Sequence, residues 1–417
     1  MIVVLSLYRP RLEDFLAAQG EKILALIPDS MRTAREAGDP GYPIRTIDRW
    51  DNYNELARLA GEFETLGVTA VATIDEPCIR AAAFLRGLLG LPGQDHESAV
   101  ACTDKSVMKR RLAAHGIPVA EHRVVHSVAE IREFLDEIGD AIVVKPRSGF
   151  GTINTHRVGP DNFDDLAAAG AFAPPRDLPE YFWSTSMTSD LGQVSYLVER
   201  YVDVVAEYHC ELMLHEGEEV HCLAARYANP VLADHAVGSV WLHHRSAEAV
   251  EVRRLTRAAA KALGVTHGFG HCEVLRDRTG RWFVGEFGSR PGGSMIPRSL
   301  KLSYGIDNLA LLADQLCGRR PRKQPPPRRI PGAIAWLAIP VESGVITDMP
   351  DEAQLLSLPG VIDAEIVMRP GDSTKGLTDG AMFHAAYIFC VGENAQEAED
   401  FAKHAQRACH IAVDPAA

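Results

Sequence analysis

An α/β fold assembled from several subdomains is predicted by three features of the sequence. Within the first hundred residues, continuous apolar runs of strand length (residues 2–7, 23–27, 44–47 and 68–74) alternate with helix-patterned sequence, which suits a small doubly wound parallel sheet. Further on, short apolar runs flank turn-forming residues and predict antiparallel hairpins. The 417 residues also exceed what one hydrophobic core normally organises, so two to four subdomains are expected.

Composition narrows the function. Hydrophobic residues make up 46% and charged residues 24%, an ordinary globular mix. A net charge of −13, spread along the chain, argues against a nucleic-acid partner, which needs a basic face. No apolar run approaches membrane-spanning length. The eight cysteines show no CxxC pair and no clustering, so they read as thiols in a reducing cytoplasm. The first residues lack the basic start and the apolar length of a signal peptide, which supports the same location.

Taken in order, residues 52–66 carry helical spacing (Leu56, Leu59, Ala60, Phe63, Leu66) between the third and fourth strands. No GxGxxG follows the first strand, so a dinucleotide site is not expected. Glu76-Pro77 follows the fourth strand, at the carboxyl edge where open α/β sheets bind ligands, although a structural turn explains it equally well. After residues 90–93 a helix opens at Thr103-Asp104-Lys105, with either of the first two as cap and Met108 and Leu112 inward. Lys105 opposes the helix dipole in this first turn, a mismatch that a bound anion would relieve.

A second helix at 130–138 leads to the strand 141–146, which ends in Lys145. The loop that follows, Arg147-Ser148-Gly149-Phe150-Gly151-Thr152-Ile153-Asn154, offers backbone N–H groups to a phosphate, with the lysine charge at its root. It is not a Walker A loop, because the lysine precedes the glycines; a plain hairpin connection is the bland reading. Residues 159–192 are poorly periodic. A strand is expected at 196–202, and 207–214 should pair with 220–227 across Glu216-Gly217-Glu218. Residues 230–245 carry His235, His243 and His244 at no zinc spacing and read as loop or pocket wall. A helix is expected at 247–263.

The hairpin at 271–288 carries the chemistry. Its two runs flank Asp277-Arg278-Thr279-Gly280, and an even loop would set Glu273 on the same face as Glu286, within roughly 4.5–8 Å. Two neighbouring carboxylates in an apolar hairpin are costly unless a cation lies between them, and hard oxygen ligands suit Mg²⁺ or Mn²⁺. Two solvated acids on an exposed hairpin are the competing reading. Arg290 stands just beyond, followed by Pro291-Gly292-Gly293. A basic, proline-rich stretch at 319–331 reads as a semi-rigid linker. Strands at 333–340, 364–369 and 381–390 and a helix at 395–408 then predict a small α+β tail.

Together these motifs resemble the ATP-grasp family in order and spacing over most of the chain, least at 1–70 and 159–192. Asp104-Lys105 with Gly116-Ile117-Pro118 resembles its opening lysine motif, and residues 143–152 its second lysine and phosphate loop. Leu197-Val198-Glu199-Arg200-Tyr201-Val202 resembles its adenine hinge. The resemblance implies four parts: an N-terminal domain (1–100), a lid with the phosphate loop (101–195), a second ATP-grasp subdomain with the metal hairpin (196–320) and the tail (332–417). It implies ATP bound by Lys105, Lys145, Ser148, Gly149, Gly151, Thr152, Glu199, Val202 and, at the ribose, Glu207. Metal would sit on Glu273 and Glu286, and Arg290 and Lys145 would serve catalysis.

The implied reaction joins a small-molecule carboxylate to an amine through an acyl phosphate, with ADP and phosphate released. The tail and the 286–293 segment look most like the branch that ligates L-amino acids. A ligase acting on a carrier protein, a peptide or another carboxylate, and a nucleotide-binding module without turnover, are the alternatives. Family members are often homodimers. Two departures stand out: Gly288 occupies a position where the family often has a metal-binding Asn, and His271 one where some members carry Arg.

Overall fold

The computed structural model describes residues 1–7, 10–149, 151–173, 195–232, 237–321, 332–374 and 384–415. Strands β1 (Ile2–Leu5), β2 (Ile23–Pro28), β3 (Ile44–Ile47) and β4 (Ala70–Ala72) form the expected parallel sheet, in the order β3-β2-β1-β4. The helix Tyr53–Thr65, capped by Asn52, buries Leu56, Leu59, Ala60 and Phe63 against it, the stripe legible in the sequence. Helices Ile79–Leu89 and His96–Thr103 lie in sequence that gave no helical expectation; both are rich in alanine, and small side chains blur the apolar stripe.

A second, antiparallel sheet has the order β5-β8-β6-β7, from β5 (His122–Val125), β6 (Ile142–Pro146), β7 (His156–Val158) and β8 (Tyr196–Arg200). The helix Val128–Ile138 packs on it through Ile131, Phe134 and Leu135. β8 pairs with both β5 and β6, so residues 196–200 belong to this lid sheet and not, as expected, to the subdomain that follows. A short helix, Phe163–Ala168, interrupts the poorly periodic region, of which residues 174–192 lie outside the described ones.

The third sheet has eight strands, in the order β13-β12-β9-β10-β11-β14-β17-β16. β9 (Val204–His215) and β10 (Glu218–Tyr227) form a hairpin whose two turn residues, Glu216 and Gly217, have φ of 53° and 78°, as a type I′ turn requires. β11 (Gly238–Trp241) replaces part of the loop expected at 230–245; His235 lies outside the described residues, and His243 and His244 follow the strand. β12 (Gly268–Asp277) and β13 (Trp282–Gly288) are the predicted hairpin. The helix Ala247–Ala262 covers one face of this sheet, packing Val252, Leu255 and Ala259 with Cys210, Cys272 and Val274.

The tail does not stand apart. Its strands β14 (Ala333–Ile339), β16 (Val361–Ile366) and β17 (Ala386–Gly392) continue the same sheet, because β14 pairs with β11. Two of the three expected tail strands are displaced by a few residues, and residues 381–383 fall outside the described ones, as do 322–331 of the linker. The helix Ala395–Ala408 lies where the sequence placed it. β15 (Val345–Asp348) and β18 (Ala412–Asp414) form a separate pair. One core cluster runs from Ile2 and Leu12 through Met213 and Phe269 to Trp336 and Phe389, so the first domain, the large sheet and the tail share a single interior.

Candidate active site

Three units converge on the Glu273–Glu286 hairpin. The two acids are direct cross-strand partners, as expected, but the route to that register differs from the one the sequence suggested. Asp277 accepts the Gly280 N–H at 3.0 Å, and Gly280 sits at φ 83°, so the loop has three residues rather than an even number. Alone, this odd loop would set Gly285 opposite Glu273. A bulge between the Val274–Val284 and Glu273–Glu286 pairs leaves Gly285 unmatched and restores the acids to one face.

The helix Lys105–Ala114 brings Lys105 against this hairpin. Its N-cap is Asp104, whose carboxylate accepts the Ser106 and Val107 N–H groups. Lys105 Nζ lies 3.1 Å from Glu286 and donates to the Gly149 carbonyl at 2.7 Å. The lysine that opposes the helix dipole is thus neutralised by a metal-candidate acid and tied to the phosphate loop. Arg147 pairs with Asp104, the Lys105 N–H donates to the Arg147 carbonyl at 2.8 Å, and Arg80 donates to Ser148 Oγ at 3.0 Å. Gly149, Gly151 and Thr152 continue the loop, with φ of 64° and 60° at the last two.

From the lid sheet, Lys145 Nζ reaches Glu199 at 3.1 Å, and Lys109 Nζ, one helical turn after Lys105, reaches the same carboxylate at 3.2 Å. Lys109 was not singled out in the sequence. A lysine on a helix is normally solvated, yet this one is fully buried and also donates to the Val284 carbonyl. Burial alone would raise the Glu199 carboxyl; the two ammonium groups overcome it and hold the acid down at about 2. Lys145 is raised in turn, because Glu199, Glu286 and Glu273 outweigh its own burial. Val202 follows β8, at the crossing from the lid sheet to β9.

On the large sheet, Glu207 accepts the Val231 N–H at 2.8 Å, and burial together with the Glu273 charge pushes it up to about 8. Glu273 and Glu286 place negative charge on one side of the cleft, with Glu207 held largely neutral beside them, against Lys105 and Lys145 on the other. Both hairpin acids keep part of their side chains open, at 28% and 24%. Adjacent, accessible carboxylate oxygens are the donor set that Mg²⁺ or Mn²⁺ takes, so the residues fit the ion.

Arg290 is not a free guanidinium. Its Nε donates to Glu76 at 2.7 Å and its Nη1 to the Pro291 carbonyl at 2.9 Å. Glu76 is therefore more than a turn residue: it carries the first domain into the site. Gly288 has a steric reason here, since a Cβ at that position would lie 3.2 Å from Glu76 Oε2 and 3.7 Å from Arg290. A side chain there would press on the Glu76 carboxylate by a few tenths of an ångström. His271, where some members carry Arg, faces the buried Glu211; although burial alone would lower it, Glu211 and Glu273 hold its imidazole up at about 9.

The family model for the L-amino acid ligase C-terminal domain 2 matches residues 336–414. A solved L-amino acid ligase from Bacillus licheniformis superposes with a TM-score of 0.73 at 18% identity, covering 99% of this chain and 98% of that one. N5-carboxyaminoimidazole ribonucleotide synthetase from Thermotoga maritima gives 0.68 at 13% identity, with 99% of each chain covered. The chain has the ATP-grasp fold. By sequence, the chain is similar to the L-arginine-specific L-amino acid ligase of Bacillus subtilis, 27% identical over 336 residues, which span 79% of this chain and 76% of that protein.

Proposed function

We propose that this ATP-grasp protein is a ligase that joins amino acids: carboxylate, ATP and amine become amide, ADP and phosphate. The observation that carries the reading is the meeting of Glu273 and Glu286 with Lys105 from one unit and Lys145 from another around a single cleft. Similarity to L-amino acid ligases over the tail and over most of the chain supports amino acids as substrates. The free thiols of all eight cysteines agree with action in the cytoplasm.

In this reading Lys105, Lys145 and the loop residues Ser148, Gly149, Gly151 and Thr152 grip the phosphates of ATP, while Glu199, Val202 and Glu207 line its nucleoside end. Glu273 and Glu286 would hold Mg²⁺ or Mn²⁺, which offsets phosphate charge during transfer. Arg290 holds the reacting carboxylate for attack on the γ-phosphate. The amine then displaces phosphate from the acyl phosphate, and Arg290 with nearby N–H groups stabilises the oxyanion that forms. The phosphate loop excludes water that would otherwise hydrolyse the intermediate.

Amino acids offered in pairs should release phosphate from ATP only when a carboxylate and an amine are both present. Glu273→Gln and Glu286→Gln should each lose about a hundredfold or more in turnover, the scale of a metal's contribution to charge stabilisation. Full turnover in either variant would remove the metal assignment.

A further inference from the structure

Behind the hairpin acids lies a buried polar chain that no part of the proposed reaction uses. His209, Glu211 and His271 occupy adjacent positions on β9 and β12, on the sheet face that bears Glu207 and Glu273. All three are buried. His209 Nδ1 and His271 Nδ1 lie 3.0 Å and 2.6 Å from the same oxygen, Glu211 Oε1, and the Gly292 N–H donates to the other, Oε2, at 2.9 Å. A carboxylate only accepts, so each Nδ1 carries a proton. His209 Nε2 then takes the Ser239 hydroxyl proton at 2.9 Å, and the Trp336 indole N–H donates to Ser239 Oγ at 2.9 Å.

The proton directions are therefore set from the tail inward: Trp336 to Ser239, Ser239 to His209, His209 to Glu211. From Glu211 the chain divides. One branch passes through His271, whose Nε2 lies 3.6 Å from Glu273, a metal-candidate acid. The other holds Gly292, two residues after Arg290. A Cβ at Gly292 would meet Glu211 Oε1 at 2.8 Å, so the loop approaches as closely as it can.

We propose that Glu211 is a positioning residue that sets the orientation of Glu273 through His271 and the placement of the Arg290 loop through the Gly292 N–H. The inference rests on the metal reading of Glu273 and Glu286. Partners of this kind around a metal ligand govern affinity through the ligand's direction, and losing one typically weakens binding ten- to hundredfold. His209, Ser239 and Trp336 keep the Glu211 carboxylate from turning.

The test is Mn²⁺ binding in the presence of ADP, followed by electron paramagnetic resonance on the full chain, with ADP binding measured separately without metal. Glu211→Gln should loosen Mn²⁺ by about ten- to hundredfold and leave metal-free ADP binding unchanged. Gly292→Ala, which pushes the carboxylate aside without removing it, should loosen Mn²⁺ in the same direction and keeps the test open should Glu211→Gln fail to fold. Native Mn²⁺ affinity in a folded variant of either kind overturns the inference while leaving the metal reading standing. No Mn²⁺ signal in the native protein overturns both. Stoichiometric zinc in the purified protein, lost in Glu211→Gln, would make the two histidines and Glu211 a metal centre and also overturn it.

Discussion

Burial of the Lys109 ammonium is sustainable because Glu199 lies 3.2 Å away and the Val284 carbonyl accepts a further hydrogen bond. Lys109→Met would leave Glu199 with Lys145 alone, so the loss should fall below the roughly 3–5 kcal/mol of a buried charge left without any partner. We expect about 2 kcal/mol in denaturant titrations. The pH dependence carries a definite sign. The folded-state value of about 2 lies below the ordinary 4.5, so the contribution of Glu199 is complete above pH 4.5 and fades as pH falls towards 2. Lys109→Met should move acid unfolding to higher pH, and an unchanged acid midpoint would contradict the pairing. The sequence places Lys109 four residues after Lys105, on the same helix face, but its pattern could not separate this buried cation from the less buried Arg110 and Arg111 beside it.

At the scale of elements, the helix Lys105–Ala114 and the phosphate loop form one mechanical piece. Asp104 caps the helix and also pairs with Arg147, so Asp104→Ala removes a cap and loosens the root of the loop. A stability loss of about 1 kcal/mol is expected from the cap. A raised KM for ATP should accompany it, and a stability loss with native KM would show that the loop does not depend on Asp104. The hairpin shows how sequence reasoning reached the right pair by an inexact path. Alternation and the Asp-Arg-Thr-Gly turn were legible, whereas the three-residue loop and the bulge at Gly285 were not. Each changes the register by one, and together they cancel. Lys145, the glycine loop and Glu199 were legible because short motifs hold them. The Glu211 network was not, since its members lie far apart in sequence on β9, β11, β12 and β14.

For the whole molecule, the alternating strands and helices announced the first domain, while the large sheet's continuity left no local trace. The junction joins β11 to β14 across more than ninety residues, and β11 has only four residues, Gly238–Trp241. Gly238 packs its backbone so closely on Trp336 and Leu337 that a Cβ would lie 2.4 Å from the Trp336 carbonyl. Arg298 adds a second fastening, with Asp363 and Glu365 as partners and the Phe389 ring beneath it. Removing residues 332–417 would bare the β11 edge and the Trp241 and Leu300 side of the core. Residues 1–321 made alone should therefore aggregate, as sedimentation would report; a stable, soluble monomer would contradict the shared interior.

That same β11–β14 seam makes covalent continuity between the two pieces dispensable once they have met. Polypeptides 1–321 and 332–417, produced together from separate messages, should zip along the three paired positions of β11 and β14 and close the interior they share, co-purify, and restore the proposed ligase activity from halves that are each incompetent.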